Sequence, residues 1–133
     1  MRNWLIAGLL AAMLAAPAAA WETPAHGSTL RADLMDVLRP IAERQYGAPV
    51  EFMVLDLRVS GDVAYADVLV QRPGGAPIER LDSDTGLPDL GALIQRSGRM
   101  WVPVFVAIEP TDLWYGDPEL CRVWAPVLPE YCD

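Results

Sequence analysis

Two aspartates stand inside runs of alternating apolar residues, Asp56 in "VEFMVLDLRVS" and Asp67 in "VAYADVLVQ". A carboxyl group enclosed in a dry pocket has its pKa raised, because burial penalises the charged form, and it can then work as a general acid or base. The competing reading is that each faces solvent or pairs with a nearby arginine, Arg58 or Arg72. A second set is "LDSDTGLPD", where Asp82, Asp84 and Asp89 offer hard oxygen ligands around a turn-forming Gly86. Calcium loops use such groups, but the full EF-hand spacing with its terminal Glu is absent. The same composition makes ordinary solvated loops, which is the reading we take. A third set is Arg31, Asp36 and Arg39. Two guanidinium groups about one carboxylate suit an anionic ligand or a partner carboxylate, or form a solvated helix face. The last set is aromatic. Trp101, Trp114, Tyr115, Trp124 and Tyr131 crowd the C-terminal third. Trp114 and Tyr115 follow Asp112 in "EPTDLWYGDPELC" and are the least constrained, so they are candidates for a ligand or partner surface. Tryptophans also cap small cores, and Trp101 alternates with Val102 as a core residue would.

Other chemistries find little support. The single histidine, His26, lies in a short leader with no nucleophile motif around it. There is no G-x-S-x-G, no H-E-x-x-H and no glycine-rich phosphate loop. No cofactor is implied, and the balance leans away from catalysis. Eighteen carboxylates against ten basic residues give a net formal charge of −8. Nucleic acid, which calls for clusters of Lys and Arg, is therefore not an expected partner, nor is an anionic membrane surface. The expected partner is a protein or a small molecule.

Position in the cell is more legible. Arg2, the apolar run from Leu5 to Ala16, Pro17 and the small residues Ala18 to Ala20 have the order of a Sec-type signal peptide. The run is shorter than the roughly 20 residues that a spanning helix needs. Residues 1–20 thus read as a cleaved signal and 21–133 as one periplasmic or secreted domain. Cys121 and Cys132 then read as a disulfide closing a short loop.

The elements that would position these groups follow from periodicity. Ser28 is a good N-cap, and Leu30, Leu34, Val37, Leu38, Ile41 and Tyr46 approximate a helical stripe ending at Gly47. Pro40 should kink this helix, and Arg39 and Glu43, one turn apart, can pair. Val50 to Val59 and Val63 to Arg72 read as a hairpin turning at Ser60-Gly61-Asp62. In its first strand Met53, Leu55, Leu57 and Val59 share one face. Pro73 to Asp89 reads as a loop. A second hairpin joins Leu90–Gln95 to Met100–Ile108, with Pro103 placing its strand at an edge or a bulge. Thr111 or Asp112 can cap a short turn, and Asp117-Pro118-Glu119 starts a final short helix. The expected fold is α+β: one N-terminal helix on a curved four-stranded antiparallel sheet, with a short helical tail over 110–133 covering one end.

The segments "GSTLRADLMDVLRP", "GAPVEFMVLDLRVSGDVAYADVLVQRPGGAPI" and "LIQRSGRMWVPVFVAIEPTDLWYGDP" resemble a family of small exported proteobacterial proteins. In that family a Gly-Ser…Arg…Asp-x-x-Arg-Pro helix precedes a Gly-Asp hairpin and a Gly-x-x-Trp-x-Val strand ending in Pro-Thr-Asp. The likeness implies no activity, and the family usually has Trp where this chain has Val63. Its layout is similar to cystatin-like and NTF2-like folds. That similarity implies three alternatives: a non-catalytic accessory or binding module, a small-molecule binder or enzyme with Asp56 or Asp67 in a helix–sheet pocket, or a cystatin-like interaction protein.

Overall fold

The structure, a computed structural model, describes residues 21–81 and 86–132. The segment read as a signal peptide, together with Asp82 and Asp84 of the loop weighed and set aside as a calcium site, lies outside the described residues. Helix α1 spans Thr29–Tyr46. Its N-cap is Ser28, whose Oγ accepts the Arg31 backbone N–H at 3.2 Å. Leu34, Leu38, Ala42 and Tyr46 recur every fourth residue and form the buried stripe. Pro40 lies within the helix, on its exposed side. Gly47, at φ +80°, closes the helix by donating its N–H to the Glu43 carbonyl.

Four strands follow: β1 (Glu51–Ser60), β2 (Val63–Gln71), β3 (Asp89–Ser97) and β4 (Met100–Ile108). They form an antiparallel meander in the order β1-β2-β3-β4. Strand alternation divides the side chains between two faces. On the inner face Leu57, Val68, Leu90, Ile94 and Trp101 pack with Leu34 and Leu38 of α1. This helix–sheet interface is a filled core.

The pattern in β1 departs from simple alternation. Val54 pairs with Val68 and Asp56 with Asp67, so Leu55 is an extra residue, a β-bulge. Before the bulge the even positions Phe52 and Val54 face the helix, and after it the odd positions Leu57 and Val59 do. Met53 and Leu55, expected on the same face as Leu57, are therefore about half exposed. A second bulge, between Leu93 and Ile94 in their pairing with β4, leaves Val104 extra beside Pro103. Edge position and bulge thus both accommodate the missing N–H.

The tail does not cover an end of the sheet. It runs across the outer face, so the architecture has three layers: α1, sheet, tail. Val63, Tyr65 and Leu93 on that face form a second core with Trp124, Val127 and Leu128. The Trp124 indole N–H donates to the Ile94 carbonyl at 3.1 Å. Within the tail, a 3₁₀ turn over Trp114–Gly116 precedes α2 (Pro118–Trp124), and a second 3₁₀ turn covers Ala125–Val127. Asp117 caps α2 by accepting the Glu119 N–H at 2.9 Å. Cys121 and Cys132 are disulfide-bonded, with Cα atoms 5.4 Å apart, and fasten the end of the tail to this helix.

Candidate functional site: an aromatic, acidic cleft under the tail

The outer face of the sheet carries one row of directly opposed residues, Asp56, Asp67 and Gly91. Like charges opposite one another in a sheet repel, and the two aspartates resolve this differently. Asp56 is neutralised: the Arg58 Nε lies 3.1 Å from both its carboxylate oxygens. Arg58 also donates to both oxygens of Glu130, at 2.9 and 2.7 Å, and to the Val127 carbonyl. Its guanidinium lies 4.4 Å from the Trp21 ring centroid. Burial works against the Arg58 charge, but the hydrogen bonds to Glu130 and Asp56 outweigh it and raise the Arg58 pKa.

Asp67 has no such partner. Arg72, the other expected one, is committed elsewhere, to Glu79 and to the carbonyls of Tyr46, Gly47 and Pro49. The Asp67 carboxyl is half-buried and makes no hydrogen bond or ion pair among the described residues. Burial, then the charges of Asp89 and Asp56, push its pKa up to about 6.

It lines a cleft of about 150 Å³ with Tyr65, Asp89, Gly91, Pro110, Asp112, Trp114 and Tyr115. Its parts come from four segments of the chain. Tyr65 and Asp67 are outward residues of β2, and Asp89 and Gly91 begin β3. Asp112 lies in the turn after β4, and Trp114 and Tyr115 are in the tail. The aromatic wall is mutually braced. Trp114 stacks on Phe105 at 5.1 Å with 9° between planes, and Tyr115 meets Trp114, Tyr65 and Tyr131 edge-on. Burial and the Asp67 charge raise the Tyr65 pKa. Burial, a hydrogen bond with Tyr131 and the neighbouring charges push Tyr115 up to about 12. Both hydroxyls are neutral donors at physiological pH. Burial also raises Asp89, partly offset by a hydrogen bond from its own backbone, with Glu109 adding repulsion.

Glu109 is a buried carboxylate, 6% exposed, at the end of β4. The Tyr46 hydroxyl donates to its Oε2 at 2.9 Å, and its N–H donates to the Asp89 carbonyl. At φ +49° it occupies the left-handed region that a non-glycine residue adopts only at a cost. This junction turns the chain from β4 over the outer face, which brings Asp112 and Trp114 to the cleft.

The structure thus gathers Asp67, Asp89, Asp112, Trp114 and Tyr115, and it separates the rest. Asp56 is held by Arg58 and also borders an open groove of about 330 Å³ with His26 and with Arg31 of α1, whereas Asp67 lies on the face of the sheet away from α1. Asp112 caps nothing: the 3₁₀ turn at Trp114 has no side-chain cap. Trp114 and Tyr115 are half-buried wall residues instead of a free surface. The Arg31, Asp36, Arg39 set does not converge. Arg31 donates to the Pro24 carbonyl at 3.0 Å. Arg39 reaches the Val50 carbonyl at 2.9 Å and lies 4.0 Å from Asp36, in place of the expected pair with Glu43. The two arginines and His26 border a shallow groove between α1 and β1. Among the described residues no group of three or more His, Cys, Asp or Glu side chains is arranged to hold a metal ion.

Sequence reading missed Tyr65, Gly91 and Phe105. One signal pointed to the first two: the outward positions of β2 and β3 run Tyr65-Asp67 and Asp89-Gly91-Leu93, while the inward ones are wholly apolar. Among the described residues no helix is long and apolar enough to cross a membrane. No protein-family model, curated protein or solved structure matches the chain.

Proposed function

We propose that the protein is an exported, non-catalytic binding module whose ligand site is the cleft between the outer face of the sheet and the tail. The observation that carries this reading is Asp67: an unpaired, half-buried carboxylate held in a cleft with rigid aromatic walls. Leaving a charge unpaired opposite Asp56 costs stability, and a cost retained at a concave surface is a mark of a functional site. Export is supported by the order of residues 1–20 and by the Cys121–Cys132 disulfide, which suits an oxidising compartment. Two measurements test the reading. Amino-terminal sequencing of protein recovered from a periplasmic extract is expected to begin at Trp21. An NMR screen of small polar fragments is expected to shift the amides of Asp67, Gly91 and Tyr115 together. Shifts scattered elsewhere, or none, would refute the cleft as the site.

A second reading is favoured by one observation. A carboxyl titrating at about 6 beside two neutral tyrosine hydroxyls is matched to proton transfer near neutrality. Asp67 would accept the proton while Tyr65 or Tyr115 donates to the developing oxyanion. A substrate turned over by the wild type and not by Asp67→Asn would establish it. Fragments that bind in the cleft and return chemically unchanged support the binding module.

A further inference from the structure

The edge of β1 lies apart from the cleft and presents a surface of another kind. In an antiparallel sheet, successive residues of a strand bond alternately to one side and the other. Val59 bonds away from β2: it exchanges N–H to carbonyl bonds of 2.9 Å in both directions with Glu22 of the leader. Leu57, two residues back, has the same orientation. The bulge at Leu55 then shifts the phase, so Val54 and Phe52 are the outward residues before it. Two bonds agree with this phase. The N–H of Val70, opposite Phe52, turns away from β1 to the Pro88 carbonyl at 2.7 Å, and the Val50 carbonyl accepts from Arg39. The edge is thus covered at one end by Glu22 and at the other by Arg39. Between them, among the described residues, no protein group bonds the outward N–H and C=O groups of Phe52, Val54 and Leu57. Such an edge is a template for another extended chain.

Two adjoining grooves of about 490 and 330 Å³ follow this edge and share His26 and Arg31. Helix α1 forms one wall with Arg31, Met35 and Arg39, and the floor is Phe52 and Val54, which the helix covers only in part. The charges here are unequally matched. Arg31 donates to the Pro24 carbonyl and meets no carboxylate among the described residues. Arg39 lies 4.0 Å from Asp36, which is 73% exposed, a pair that solvent largely screens. The carboxylates bordering the grooves are engaged instead: Glu51 accepts the Gly74 N–H at 2.9 Å, and Asp56 is held by Arg58. A strand laid on the edge alternates its side chains between the two faces of the sheet. Those level with Phe52 and Val54 enter the groove beside Arg31 and Arg39. Those between them lie beside Met53 and Leu55, which are apolar and half-exposed on the other face.

We propose that β1 takes an extended segment of a partner protein by strand addition, in a sequence that alternates acidic and apolar residues. The acids face Arg31 and Arg39, and the apolar side chains lie against Met53 and Leu55. The net charge of −8 repels an acidic partner at a distance, but physiological salt screens that field beyond about 8 Å, so the charges in the groove set the preference on contact. A second copy pairing edge to edge is disfavoured, because it sets the two arginine-lined grooves against each other.

The probe is the peptide acetyl-Glu-Val-Glu-Val-Glu-Val-amide, titrated into the protein and followed by amide NMR. Saturable shifts and slowed hydrogen exchange are expected at Phe52, Val54 and Leu57. Replacing each Glu of the peptide by Lys should weaken binding at least tenfold. Methylating the Glu backbone nitrogens, whose N–H groups face β1, should do the same, whereas methylating the Val nitrogens, which face away, should cost less than threefold. In the protein, Arg31→Gln combined with Arg39→Gln should cost at least fivefold, with near-UV circular dichroism confirming the fold. The peptide comparisons use wild type, so they decide the matter even where that variant does not fold. Equal binding of the lysine peptide, equal effects of the two methylations, or no response at β1 would each overturn the proposal. Shifts at the same amides when the protein alone is concentrated would make a second copy the occupant and overturn it too. None of these outcomes bears on the cleft.

Discussion

The indole of Trp114 lies flush on Gly91. A Cβ built at Gly91 would stand 2.6 Å from the indole Cζ2 and 3.2 Å from Nε1. Gly91 is directly opposite Asp67 in the sheet, so the absence of a side chain at one position gives the cleft both its floor and its wall. Trp114 cannot swing aside freely, because Phe105 stacks on one face and Tyr115 abuts its edge. Gly91→Ala is expected to destabilise the protein by about 1–3 kcal/mol through overpacking and to weaken the near-UV dichroism of the aromatic cluster. Trp114→Leu in the same chain should recover part of that loss. A double-mutant cycle in urea checks the coupling, and additive effects would mean that the two residues do not meet.

Asp67 makes a pH prediction whose sign follows from its raised pKa. The unfolded carboxyl titrates near 4 and the folded one at about 6. Between these values the folded protein holds a proton that the unfolded chain has released. Stability attributable to this group is thus greatest below pH 4, falls as the pH rises to about 6, and stays low above it. Asp67→Asn should be the more stable protein at pH 7.5, by about 1–2 kcal/mol after allowance for solvent screening. The difference should vanish at pH 4. Urea unfolding at both values reads this directly. A variant less stable than wild type at pH 7.5 would show that the carboxylate has a stabilising partner.

Much of this fold is legible in the sequence, because local chemistry dictates it. The Ser28 and Asp117 caps, the helical spacing of Leu34, Leu38 and Tyr46, and both Gly-centred hairpins need only neighbours in the chain. The bulge at Leu55 is a property of the pairing with β2 and has no signature in β1 alone, so the phase of Met53 and Leu55 reads wrongly. The same holds for the site. Asp67, Asp89 and Asp112 are visible singly as strand or loop acids. What joins them is the path of the tail over the outer face, set by the turn at Glu109 and by the burial of Trp124, Val127 and Leu128. An aromatic residue in a tail says that it packs, not against which face.

The disulfide should govern the cleft through the tail. Cys121 and Cys132 are separated by 11 residues, and Tyr131, beside Cys132, packs edge-on against Tyr115 with ring centroids 4.5 Å apart. Reduction, or the double substitution of both cysteines by Ser, is expected to cost about 2–3 kcal/mol. Loosening the tail should uncover Tyr65 and Leu93 and increase binding of a hydrophobic dye, while α1 and its core persist by far-UV dichroism. A melting temperature insensitive to reductant would contradict this.

Arg58 ties three layers of charge together and insulates Asp67 from Asp56. Its side chain is only 13% exposed and meets two carboxylates and a tail carbonyl. Arg58→Ala strands Asp56 and frees Glu130, with an expected loss of about 2–4 kcal/mol. Arg58→Lys should recover less than half, since an ammonium cannot span both carboxylates as the planar fork does. The more specific consequence is electrostatic. With Asp56 no longer neutralised, its charge acts in full on the directly opposed Asp67, whose pKa should climb above 6. Carboxyl carbon NMR titration of folded Arg58→Ala and wild type would show it. An unchanged Asp67 midpoint would mean that burial and Asp89 set its titration, and that the charge of Asp56 contributes nothing.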